Sequence, residues 1–372
     1  MRLRLLILIV LVSILISCSS PAVLTTTPEP TVVRADCGMP TNTLQHGINV
    51  FMLGADTKRI LKLTTSAHFG WVRQQIHWRD IEGVRGQFVW EPLDQVVDQS
   101  RANRLHILLS VVRSPDWAGE GGGLPDSAQF EAFMRVLATR YQGRVAAYQI
   151  WNEPNMALEN GGRPATAPEY LRTLMAGYAG VKAGDPCALV VSAAPAANAG
   201  SNAAVVTSDL DFFRELYQIE NRAFLRYADV VAIHPGGGPF SPMDRWAIDR
   251  PDQSEGYFRH IDRVRAIMLA AEDRRPAWIT EVGWNVLPAA GAPTPVDERQ
   301  QAEYLIGALR LIRSDYPWIT HVFVWNLNFA VLGQAGDEKN GFGILKPSWA
   351  PRPAYLALQG YLNAVRLEQQ SP

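Results

Sequence analysis

The 372-residue chain has few cysteines, three in all, and no surplus of either charge: 35 Lys and Arg stand against 36 Asp and Glu. That balance lacks the basic footprint that nucleic acid requires, so no nucleic-acid partner is expected. It suits a neutral partner. No His, Asp and Glu residues recur at metal-ligand spacing, and no Gly-x-Ser-x-Gly elbow appears. No glycine-rich phosphate loop follows the first strand candidate. The chain is therefore expected to work without a metal or cofactor. The longest apolar run, Leu5 to Leu11 with its extension to Ile16, is shorter than the roughly 20 residues that span a bilayer.

That run is instead a targeting segment. Arg2 and Arg4 precede it, and it ends in Leu15-Ile16-Ser17-Cys18. The ending resembles the lipobox of bacterial lipoproteins, which implies a signal peptide over residues 1–17 and a lipidated Cys18. A plain signal peptide or an uncleaved anchor would also place the domain outside the cytoplasm, in the cell envelope or beyond it. Residues 18–36, rich in Ser, Thr and Pro, read as a solvated spacer. The membrane is then a partner through the lipid alone. A catalytic domain is expected over 37–366 and a tail over 367–372. Cys37 precedes the first strand candidate and Cys187 the fifth. At one rim of a barrel they would form a bridge or remain two buried thiols.

The body alternates strand and helix eight times. Strands are expected at His46–Met52, Trp71–Ile76, His106–Val111, Val145–Trp151, Leu189–Ala194, Val230–His234, Ala277–Glu281 and His321–Asn326. Most are short apolar runs, as in parallel strands buried on both faces. Helix starts are marked by Asp126 with Gln129, by Thr166 with Glu169, and by Asp297. After the first of these, Phe130, Phe133, Met134, Leu137 and Tyr141 recur at helical spacing. The pattern predicts a single-domain α/β fold, a (β/α)8 TIM barrel, with an open doubly wound sheet as the alternative.

Catalytic groups of such barrels sit at the C-terminal ends of strands. Strand two contains Arg73 and leads into His77 and Trp78; strand three leads into Ser114-Pro115-Asp116-Trp117. Strand four ends Trp151-Asn152-Glu153-Pro154-Asn155, and strand six ends at His234. Strand seven ends Thr280-Glu281-Val282-Gly283-Trp284, and strand eight reaches Trp325. Two carboxylates, Glu153 and Glu281, thus face each other across the mouth. Cleaving an acetal needs one group to protonate the leaving oxygen and another to stabilise the anomeric carbon from the opposite face, work that two carboxyls can divide. A separation near 5 Å implies retention, and one near 9 Å inversion.

The two glutamate motifs together resemble those of the clan A glycoside hydrolases, closest to family 39 and the related family 5. Supporting stretches are Trp71-Val72-Arg73, Ser114-Pro115-Asp116-Trp117-Ala118, Val231-Ala232-Ile233-His234-Pro235 and Pro353-Ala354-Tyr355, so the resemblance covers roughly residues 45 to 362. It implies a retaining β-glycosidase with Glu153 as acid/base, Glu281 as nucleophile and no metal. It also implies that Asn152 bonds the sugar 2-hydroxyl and that Arg73 supports the nucleophile. One position departs: the family often has a tyrosine two residues after the strand-six histidine, bonding the nucleophile, where this chain has Gly236. Tyr257 is a candidate replacement.

Of the 11 tryptophans, Trp71 and Trp278 lie within strands and read as barrel filling. Trp78, Trp117, Trp284 and Trp325 lie at strand ends and are candidate sugar platforms, since pyranose CH faces pack on indole. His77 and His234 are candidate hydroxyl ligands. Long loops at Gly236–Ser254 and Asn328–Trp349 favour an extended cleft. The expected partner is an oligo- or polysaccharide and the expected state a monomer. Two other readings share these residues: a barrel that binds glycan without cleaving it, and a transglycosylase.

Overall fold

The computed structural model describes residues 37, 43–200, 202–247, 251–288, 294–333 and 336–370. The expected signal peptide, Cys18 and the spacer lie outside them.

Eight parallel strands alternate with helices. The strands are β1 (Gln45–Val50), β2 (Trp71–His77), β3 (His106–Val112), β4 (Ala147–Ile150), β5 (Leu189–Val191), β6 (Val231–Ile233), β7 (Ala277–Val282) and β8 (Ile319–Val324). The helices that follow them in turn are α1 (Thr57–Ser66), α2 (Glu91–Ala102), α3 (Ser127–Arg140), α4 (Ala167–Gly184), α5 (Asp209–Gln218), α6 (Ile261–Ala270), α7 (Glu298–Asp315) and α8 (Pro353–Gln370). The sheet order is β5-β4-β3-β2-β1-β8-β7-β6. A parallel bridge between Val191 and Val230 joins the two outer strands and closes the sheet into a barrel. Each predicted strand has its counterpart, with no end shifted by more than three residues. The last helix runs to Gln370, past the expected end of the domain at residue 366.

The interior is layered by the two-residue period of strands. Trp71, Leu108, Ala147, Trp278 and Phe323 are buried together in the lower barrel. Gly47 makes room there, because a Cβ on it would sit 2.3 Å from the Phe323 ring. Two residues further along the same strands come Arg73, Ser110, Gln149 and Thr280, and Asn49 two beyond Gly47; all five are buried. A greasy floor thus carries a polar layer, and the cavity opens above it.

Outside the sheet, the helices bury their apolar stripes. Phe130, Phe133, Met134, Leu137 and Tyr141 are all buried. Asp126 accepts from the Gln129 N–H. Thr166 with Glu169 and Asp297 with Gln300 form reciprocal capping boxes. Cys37 and Cys187 are joined by a disulfide, with Cα atoms 5.2 Å apart, at the N-terminal rim of the barrel.

Candidate active site

The polar layer is organised by Arg73. Its Nη1 donates to Glu281 Oε1 at 2.6 Å and to Asn49 Oδ1 at 2.7 Å. Nη2 donates to Asn152 Oδ1 at 2.9 Å and to Ser110 Oγ at 3.2 Å, and Nε to Gln149 Oε1 at 2.8 Å. Five acceptors match the five N–H groups of a guanidinium, which is how a cation 1% exposed can be kept. Arg73 therefore fixes Glu281 and Asn152 in one plane of reference.

Glu153 follows β4 through a strained turn. Trp151 has φ 73° and Glu153 has φ 38°, both in the left-handed region that non-glycine residues avoid. The turn is held by the Glu153 N–H donating to Ala194 O at 3.1 Å and the Met156 N–H donating to Glu153 O at 2.9 Å. His234, at the end of β6, lies 2.8 Å from Glu153 Oε1 through Nδ1 and 3.0 Å from Thr280 Oγ1 through Nε2. Oxygen atoms of Glu153 and Glu281 and a ring nitrogen of His234 all lie within 4.8 Å of one another.

Burial dominates the electrostatics. It pushes the Glu153 carboxyl up to about 7, against the pull of Arg73 and Lys339. Burial also raises Glu281, but there the Arg73 ion pair opposes it. The direct ion pair assigns the charge to Glu281 and the proton to Glu153. Burial lowers His234 to about 4, so its ring is neutral near pH 7.

These groups line a cavity of about 670 Å³ at the C-terminal mouth. Asn152, Glu153, His234, Glu281, His77 and Trp325 all face it. His77 pairs with Asp80 at 3.3 Å, and burial lowers its pKa. Trp325 packs edge-on against Phe51, with ring centroids 5.6 Å apart.

Three of the four candidate platforms lie elsewhere. Trp78 is buried, stacks on Phe133 at 4.8 Å and donates to Glu82 Oε2, so it belongs to the outer core. Trp117 packs on Trp78 and donates to the Gly83 carbonyl at 3.1 Å. Trp284 is buried and donates to the Phe240 carbonyl at 2.9 Å. Indole at a strand end turns outward under the loops as readily as inward, and only packing decides which. Trp71 and Trp278 fill the barrel floor, as their place within strands implied.

Gly236 also has a structural reason. A Cβ there would lie 2.1 Å from the Glu255 carbonyl oxygen and 2.6 Å from the Tyr257 nitrogen. The following loop occupies the space a side chain would need. Tyr257, the candidate replacement, stacks its ring on Phe240 at 4.1 Å and is not among the residues that line the cavity.

Sequence reasoning passed over Asn49, Ser110, Gln149 and Thr280, although a polar residue inside a buried apolar strand is a visible signal. It also passed over Arg113, Glu159 and Lys339, which line the cavity from loops. No strand pattern marks those.

No family model matches the chain, and no curated protein sequence matches it. Solved structures do. A family 39 glycoside hydrolase from the gut symbiont Bacteroides cellulosilyticus WH2 has 18% identity and a TM-score of 0.64 over 87% of this chain and 64% of its own. This chain thus spans just under two thirds of that protein. A monomeric beta-xylosidase from Caulobacter crescentus CB15 has 18% identity and a TM-score of 0.61, over 87% of this chain and 69% of that one. Native xylanase 10B from Thermotoga maritima has 14% identity and a TM-score of 0.59, over 88% and 97%. The shared feature is the fold. The clan A resemblance carried by the Glu153 and Glu281 motifs and the likeness of the barrel thus point the same way.

Proposed function

We propose that this chain is a retaining glycoside hydrolase that cleaves β-glycosidic bonds of an oligo- or polysaccharide. The observation that carries the reading is one pair of carboxyls: Glu153 and Glu281 have oxygens within 4.8 Å at the mouth of the barrel, one beside a neutral imidazole and the other on an arginine. The two carboxyls are near neighbours, as direct attack by one of them requires.

In the first step Glu281 attacks the anomeric carbon while Glu153 gives its proton to the leaving oxygen. The C–O bond to the leaving group breaks and an ester to Glu281 forms. The Glu281 charge is then gone, which favours ionisation of Glu153. In the second step Glu153 takes a proton from water, the hydroxide oxygen bonds the anomeric carbon, and Glu281 leaves as carboxylate. His234 accommodates both states of Glu153. Its Nδ1–H donates to the ionised carboxylate while Thr280 donates to Nε2; with Glu153 protonated, the carboxyl donates to Nδ1 and Nε2–H donates to Thr280. In this reading Asn152, held by Arg73, bonds the sugar 2-hydroxyl, and Trp325 packs on the ring. The lipobox-like Cys18 motif supports a place in the cell envelope, tethered by lipid.

The test is a screen of the purified protein against polysaccharides and aryl β-glycosides, alongside Glu153→Ala and Glu281→Ala. Glu281→Ala should abolish cleavage. Glu153→Ala should lose about 10²- to 10⁴-fold and recover with azide on an activated substrate, giving a β-glycosyl azide. Binding of a glycan with no cleavage by the native protein would support the non-catalytic barrel instead. Products transferred to added sugars rather than to water would support a transglycosylase.

A further inference from the structure

The proposed reaction leaves one built feature of the cavity unused. Arg113 follows β3 with φ 56°, a left-handed conformation, and its carbonyl accepts from the Arg79 N–H at 3.1 Å. Glu159 lies six residues past Glu153, and its carbonyl accepts from Trp151 Nε1 at 3.2 Å. Both backbones are therefore pinned. The side chains meet across the cavity wall, Arg113 Nη2 lying 3.6 Å from Glu159 Oε2, with exposures of 20% and 18%. At that distance neither group saturates the other, so guanidinium donors and carboxylate acceptors remain side by side, facing the cavity. Leu158, 65% exposed, stands beside them.

Their position in the barrel says which part of a substrate they meet. Glu281 and Trp325 come from β7 and the end of β8, so the sugar under attack lies on that side. Glu153 protonates the departing oxygen from the other side, and the leaving group extends past it. Arg113 and Glu159 follow β3 and β4, across the barrel from β7 and β8 and on the same side as Glu153. Adjacent planar donors and acceptors fit the neighbouring hydroxyls of a sugar, and Leu158 fits its CH face.

We propose that Arg113, Glu159 and Leu158 form the leaving-group site, and that the leaving group is itself a saccharide bound through its hydroxyls. This rests on the glycosidase reading above. It makes the natural substrate a sugar chain rather than a glycoside of an apolar alcohol. It also assigns the pair to binding, separate from the proton transfer at Glu153.

The experiment compares native protein with Arg113→Ala, Glu159→Gln and Leu158→Ser on two substrates of one sugar. One is the cleaved oligosaccharide, the other its 2,4-dinitrophenyl β-glycoside, whose leaving group needs no sugar site. On the oligosaccharide, Arg113→Ala and Glu159→Gln should lower kcat/KM by about 10- to 100-fold, as for lost hydrogen bonds to charged groups. The loss on the dinitrophenyl glycoside should be at least about tenfold smaller, and that residual activity also reports that each variant is folded. Equal losses on both substrates, or none on either, would overturn the assignment while leaving the hydrolase reading intact. If native protein cleaves neither substrate, the hydrolase reading fails and this one falls with it.

Discussion

Glu153 and Glu281 are the same residue type in the same cavity, and their neighbours separate them. Glu281 accepts from Arg73 at 2.6 Å, whereas Glu153 meets an uncharged imidazole. The proposed first step needs Glu153 protonated, and its carboxyl is raised to about 7 by burial. The active form is therefore lost as pH rises through 7. kcat/KM should show an alkaline limb near pH 7, absent from the residual activity of Glu153→Gln. The same shift carries a stability cost. Between pH 4.5 and 7 the folded state keeps a proton that the unfolded chain has released, so stability falls as pH rises through that window. Glu153→Gln should thus be more stable than native at pH 8, by up to about 3 kcal/mol in chemical denaturation. A variant no more stable than native there would mean that burial does not hold the proton on Glu153.

The same contrast between residue type and surroundings holds for whole elements. Helix α4 contains Gly177, Gly180 and Gly184 on the face toward β4 and α3. Glycine inside a helix costs about 1 kcal/mol relative to alanine, so propensity alone argues against it. Packing explains it. A Cβ at Gly180 would lie 2.4 Å from the Glu131 carbonyl oxygen and 2.8 Å from Met134 Cβ, and one at Gly184 would lie 2.6 Å from the Arg135 carbonyl. The two helices approach so closely that only hydrogen fits. Gly180→Ala should therefore destabilise the protein by about 1–3 kcal/mol despite its better propensity, measured by denaturant unfolding. The caps behave as sequence alone suggests. Asp126, Thr166 and Asp297 each accept the N–H three residues on, because that bond depends only on local chain geometry.

Across the whole molecule, buried histidines contribute to the response to acid, two of them besides His234. His46 is buried between the sheet and the last helix, edge-on to Tyr361 with ring centroids 6.1 Å apart, and His321 lies in the barrel floor, stacked on Trp278 at 3.9 Å. Burial lowers them to about 4 and about 3, with Arg313 acting further on His46 and the neighbouring His106 and His46 on His321. Both enter the fold uncharged. The stability this contributes is present above pH 6.5 and is lost as pH falls from there toward 4, because the unfolded chain takes up protons that the fold refuses. The loss is on the order of 3 kcal/mol per histidine. His321→Phe, which keeps a ring against Trp278, should flatten the fall in Tm between pH 6.5 and 4; an unchanged slope would place the acid sensitivity elsewhere. The Cys37–Cys187 disulfide spans 150 residues and ties the segment before β1 to the entrance of β5. A link of that span contributes about 2–5 kcal/mol by constraining the unfolded chain.

The linear order of residues determined a good deal. Eight apolar runs separated by amphipathic helices specify a barrel, because a two-residue or 3.6-residue period is a local property that no distant contact has to supply. The two glutamates were legible for the same reason: each ends a strand, and strand ends of such a barrel share one mouth. His234 and Trp325 followed from that rule, whereas the expectations for Asn152 and Arg73 came from the family resemblance. What only the tertiary structure decided is where side chains point once they leave a strand. Trp78, Trp117 and Trp284 obeyed the same rule as Trp325, yet turn into the packing beneath the loops. Gly236 sits where the backbone at Glu255 and Tyr257 leaves no room for a side chain. Arg113 and Glu159 meet only because two loops converge. Such placements depend on close packing between residues far apart in the chain, and local periodicity carries no record of it.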